Sequence, residues 1–122
     1  MGTRQKPGYT IGDFTKGAVD KQEAILTCIV EERELVEYST KMYVDNIRVK
    51  STREYLKDER PTKGSIPEGK RLFISVPSIP VLELIIGDEL MCTGKIEGAS
   101  STNYHAELIA NKTTGIVYEV HR

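Results

Sequence analysis

The feature that most narrows the possible folds is the run from Glu23 to Lys50, EAILTCIVEERELVEYSTKMYVDNIRVK. Its first part, EAILTCIVEE, is rich in Ile, Leu, Val and Thr and lacks a helical apolar stripe, so it reads as a strand with Leu26, Cys28 and Val30 on the inner face. ERELVE then reads as a polar turn. YSTKMYVDNIRVK reads as a second long strand and hairpin partner, with Met42 and Val44 alternating against Lys41 and Tyr43. After Asp45 and Asn46 the apolar positions pass to Ile47 and Val49, a one-residue phase change that a β-bulge would produce. A bent hairpin of this length suits a curved, barrel-like sheet.

The rest of the chain supplies shorter strands. Ser51 to Lys70 is charged, ends in Pro and Gly signals and reads as a long loop. RLFISVP, Arg71 to Pro77, alternates strictly, placing Leu72, Ile74 and Val76 on one face and Arg71, Phe73 and Ser75 on the other. Pro77 and Pro80 stop it, because proline cannot donate to a ladder. Gly87 and Asp88 then turn the chain into ELMCTGKIE, a fourth strand with Leu90, Cys92 and Ile96 inward and a bend at Gly94. SSTNYHAELIANKTTG reads as a short helix from about Asn103, with Leu108 on its apolar side and Gly115 past its end. IVYEV is a fifth strand.

At 122 residues the chain suits one domain. Residues 1–22 read as an N-terminal tail or the edge of an excised segment, and 23–122 as the folded unit. Five short strands and one helix point to an all-β class, a five-stranded OB-fold-like barrel with a short helix, the SH3-like barrel being the main competitor. In an OB-type barrel the first strand pairs with the fourth, so Cys28 and Cys92 share an inner wall. A disulfide between them is conceivable, and two buried free thiols are the plainer alternative.

Much chemistry is missing from the sequence. It contains no phosphate-binding glycine loop, paired-histidine metal motif, GxSxG or CxxC. His105 and His121 read as surface residues, and the acidic pairs Glu31–Glu32 and Asp88–Glu89 as solvated turn residues. The expectation is a non-catalytic protein with no metal, no cofactor and no small-molecule substrate. The longest apolar candidate, VPSIPVLELIIG, holds two prolines and Glu83 and falls short of a membrane-spanning helix.

Net charge is −1, yet its distribution is uneven. Residues 40–75 carry nine basic and five acidic side chains, while the segments on either side are net acidic. On the second and third strands Lys41, Tyr43, Arg71 and Phe73 are expected to face outward, with Arg48 and Lys50 extending the patch. Cations interleaved with aromatics on neighbouring OB strands suit a nucleic-acid ligand, phosphates meeting the charges and bases stacking on the rings. The alternative is a structural barrel that docks a protein partner, which the near-zero net charge favours.

Three stretches together resemble a known family, the soluble N-terminal domain of the ComEC competence proteins, membrane channels of bacterial DNA uptake. They are AILTCIVEERELVEYSTKMYVDNIRV, the glycine-aspartate segment IIGDELMCTGKIE, and NYHAELIANKTTGIVYEV, which is similar to that family's short aromatic-bearing helix and following strand. The connection GASSTN is shorter than the family's, and the 51–70 insert is long. The resemblance implies an OB-fold domain on the non-cytoplasmic face of the cell membrane, attached to a transmembrane remainder of the same protein. It further implies contact with incoming DNA, single- or double-stranded, and no active site.

Overall fold

A computed structural model of the protein describes residues 2–21, 25–39, 42–54, 68–78, 82–96 and 102–122. Its elements are β1 (Gly2–Gln5), α1 (Ile11–Lys21), β2 (Leu26–Ser39), β3 (Met42–Glu54), β4 (Arg71–Ser78), β5 (Glu89–Ile96), β6 (Asn103–Asn111) and β7 (Val117–His121). β2, β3, β4, β6 and β5 pair in that order, and β5 returns to β2, closing a five-stranded barrel. All these pairings are antiparallel except β4 with β6. This is an OB-fold-like all-β barrel. β7 pairs with β6, and β1 with β7, as additions outside the closed circuit.

The barrel interior is filled by aliphatic side chains at the alternating positions of its strands. Leu26, Cys28 and Val30, Leu72, Ile74 and Val76, and Leu90 and Cys92 all point inward as expected, with Ile96 packed partly against them. Leu82 and Leu84 from the β4–β5 connection join this core. No helix is described in that connection.

Several expectations are corrected. Residues 2–21 are no tail: they form β1 and α1, and Phe14 packs with Ile25, Met91, Ala110 and Val117 in a second apolar cluster. The helix is capped by a reciprocal Thr10–Asp13 pair. The Asp13 amide donates to Thr10 Oγ1 at 3.2 Å, while Asp13 Oδ2 accepts from the Thr10 amide at 3.0 Å and hydroxyl at 2.9 Å. Those bonds hold the Asp13 carboxyl below its usual range, the backbone donor contributing most. The T-x-x-D signal at 10–13 marks this helix start in the sequence.

Asn103–Asn111, expected to be helical, is strand β6. The β5–β6 ladder shifts register between Thr93 and Gly94, skipping Glu107. The buried positions Tyr104, Ala106, Ile109 and Ala110 therefore lose their period of two and mimic a helical stripe.

ERELVE is not a turn either, since it lies inside β2. The expected bulge at Asp45–Asn46 is also absent, because the β3–β4 register runs unbroken from Tyr43 to Lys50. Asp45, Ile47 and Val49 occupy consecutive inner positions, and Asp45 is fully buried. Its counter-charge is Arg33, whose Nε donates to Asp45 Oδ1 at 3.0 Å and Oδ2 at 2.8 Å. Nη1 and Nη2 of Arg33 reach the carbonyls of Leu84 and Leu82 at 2.7 and 2.6 Å. A charged residue thus holds a core slot, which is why hydropathy alone suggests a phase change there. The ladder irregularities are instead between Thr27 and Cys28, Val30 and Glu32, and Glu37 and Ser39.

Gly87 and Asp88 do turn the chain into β5. Gly87 has φ +95°, and the turn bonds Val30 from both sides: the Gly87 amide donates to its carbonyl at 2.8 Å, and its amide donates to the Asp88 carbonyl at 3.0 Å. Asp88 is buried rather than solvated, accepting from the Ile85 amide at 3.0 Å and Asn111 Nδ2 at 2.9 Å. Gly94 has φ +152°, and a Cβ there would overlap the His105 carbonyl of the neighbouring strand.

Gly94→Ala is expected to lower stability by about 2–4 kcal/mol, since backbone strain is compounded by displacement of β6, as read from the urea midpoint. Arg33→Ala, which orphans the buried Asp45 charge, is expected to cost about 3 kcal/mol or more. The double variant Arg33→Met with Asp45→Leu, which removes both charges, should cost less than Arg33→Ala in the same assay.

Candidate nucleic-acid interface

With Ile47 and Val49 on β3 and Leu72, Ile74 and Val76 on β4 turned inward, the intervening residues form an outer face. The register sets Arg48 opposite Phe73, Lys50 opposite Arg71 and Asn46 opposite Ser75. Four expected site residues, Arg48, Lys50, Arg71 and Phe73, therefore converge. Phe73 is 42 % exposed, comparable with Leu35 at 43 % on β2. The Arg48 guanidinium carbon lies 5.7 Å from its ring centroid, within cation–π range. Beside them the Ser75 hydroxyl donates to Asn46 Oδ1 at 2.6 Å.

The other two expected residues do not join this face. Tyr43 shares the inner parity of Asp45 and Ile47 and is half-buried, because the absent bulge leaves its side chain on the core side. Lys41 lies outside the described residues.

The charge of the face is moderated from β2. The irregularity between Val30 and Glu32 presents two consecutive glutamates to the neighbouring strands. Glu32 pairs with Arg48 at 3.4 Å and Glu31 with Arg71 at 3.2 Å. Both pairs are substantially exposed, so each is worth about 0.2–1 kcal/mol. The basic excess counted along residues 40–75 is thereby offset by acids from an earlier segment, since sheet pairing ignores sequence distance.

A second feature adjoins Phe73. Where β4 and β6 diverge, an open groove of about 380 Å³ is lined by Phe73, Ser75, Asn103, Tyr104, His105 and Arg122. His105 is half-buried in this wall rather than a plain surface residue. Sequence reasoning missed the groove because it read residues 103–111 as helix, which leaves no edge for β4 to meet.

Cys28 and Cys92 are both fully buried and unbridged. Their direct ladder partners are Leu90 and Leu26, so the two cysteines are diagonal neighbours. Diagonal Cα atoms lie about 7–8 Å apart, longer than the usual disulfide span. A hydrogen bond with Cys28, with burial second, pushes the Cys92 thiol well above its ordinary value.

Among the described residues, no three His, Cys, Asp or Glu side chains cluster as metal ligands. Among the same residues, no helix is long and apolar enough to cross a membrane. No protein-family model, curated protein or solved structure matches this chain.

Neither cysteine is expected to react with a thiol reagent in the native protein, and both are expected to react after denaturation without reductant. Mass spectrometry after alkylation in the two states checks this.

Proposed function

We propose that this protein is a non-catalytic DNA-binding module that holds nucleic acid on the outer face of β3 and β4. The observation that carries the reading is the exposed Phe73 ring, flanked by Arg48 and bordered by Lys50 and Arg71, on the strand pair that OB barrels use for ligands. Phosphates would displace Glu31 and Glu32 from the two arginines, and a base would stack on Phe73. The resemblance to the ComEC domain names the ligand as incoming DNA at the non-cytoplasmic face of a bacterial membrane. It also names the transmembrane remainder of the same protein as a partner. Of the stretches that carry the resemblance, the acidic segment expected to turn lies inside β2, and the third, expected as a helix, is β6 here.

A second reading, a structural barrel docking a protein partner, is favoured by the carboxylates on the basic face and by Ile85 and Ile86, 69 % and 67 % exposed beside the Gly87 turn. Salt separates the two, because phosphate contacts weaken steeply with ionic strength and apolar docking does not.

In fluorescence-anisotropy titrations with labelled DNA, binding is expected at low salt with a negative salt slope. Phe73→Ala is expected to cost single strands about 1–3 kcal/mol and duplex less. Glu31→Gln with Glu32→Gln should tighten binding by releasing Arg71 and Arg48. An absence of binding at low salt, to either form of DNA, would refute the proposal.

A further inference from the structure

The edge of β6 changes partner partway along its length. β4 pairs with it only at Phe73–Asn103 and Ile74–Tyr104, and β7 takes the same edge at Leu108–Ala110. Between these contacts the strands part. Arg122, following the last residue of β7, donates to the carbonyls of Ser75 at 3.2 Å and Ala106 at 3.0 Å. A guanidinium therefore spans the gap that strand pairing leaves open, and it forms one wall of the groove described above.

We propose that this seam is a nucleotide subsite for single-stranded nucleic acid, in which a base packs against Phe73 while its phosphate lies against Arg122. The inference rests on the reading of β3–β4 as a nucleic-acid face and deepens it by selecting the strandedness of the ligand. Phe73 belongs to both surfaces, standing opposite Arg48 on one side and lining the seam on the other. A strand crossing the cationic face thus meets the ring and then the groove. Asn103 and His105 line the same groove and offer polar groups to a base edge. A duplex keeps its bases stacked and paired, so it presents phosphates to the β3–β4 face but no base to the seam.

The test compares labelled oligothymidylate with a duplex of equal length, using Asn103→Ala, His105→Ala and Arg122→Gln. Each is expected to weaken single-strand binding about two- to tenfold, the loss of one hydrogen bond or charge contact, while leaving duplex affinity unchanged. Arg122→Gln also removes backbone bonds, so its unfolding midpoint is measured alongside; Asn103→Ala, at an exposed position, decides the question if Arg122→Gln fails to fold. In NMR titrations of the wild type with oligothymidylate, the Ser75, Asn103 and His105 amides are expected to shift. Unchanged single-strand affinity in Asn103→Ala and His105→Ala, with Phe73→Ala still impaired, would overturn the subsite and leave the DNA-binding reading standing. A wild type that binds neither probe would overturn both.

Discussion

The barrel is organised around a carboxylate buried from solvent. Asp45 sits fully buried on β3, and an uncompensated charge there would cost several kcal/mol. Arg33, from the facing strand, engages both its oxygens and extends to the carbonyls of Leu82 and Leu84. One guanidinium thereby ties the β2–β3 hairpin to the connection between β4 and β5. With that connection held, Leu82 and Leu84 enter the core, and the Gly87–Asp88 turn lies against Val30. β5 then begins where it can pair with β2 and close the circuit.

The same arrangement shapes the outer surface. An inner row of Asp45, Ile47 and Val49 obliges Arg48 and Lys50 to face outward, alongside Phe73 and Arg71 on β4. The ladder irregularity at Val30–Glu32 adds two glutamates, so the face carries cations, an exposed ring and paired counter-charges together. Its neighbour, the seam between β4 and β6, lies between the residues where β4 pairs with the β6 edge and those where β7 does.

Legibility in the sequence followed regularity of pattern. The inner faces of residues 26–30, 72–76 and 90–92 were readable because apolar side chains alternate there without interruption. Arg48, Lys50, Arg71 and Phe73 were readable for the same reason, each being the complement of an inner position. The side of Tyr43 is not legible, because a buried charge at Asp45 looks like a surface residue until its partner is known. Residues 103–111 are not legible as a strand, because a skipped residue turns a period of two into the spacing of a helix. The N-terminal helix is legible in the sequence from its Thr10–Asp13 cap and from Ile11, Phe14 and Ala18 at helical spacing, while the cluster that Phe14 joins with Ile25, Met91, Ala110 and Val117 is not.

By itself the sequence determined an all-β chain, the strands whose alternation is unbroken, the Gly87–Asp88 turn, and which side chains of β4 face water. These properties depend on neighbours one or two residues away. Only the tertiary structure decided that Asp45 is a core residue, that Glu31 and Glu32 answer Arg71 and Arg48, and that Gly94 must pass beneath the His105 carbonyl. Each of these depends on a partner from another strand, and such a partner is set by register and barrel closure rather than by local preference.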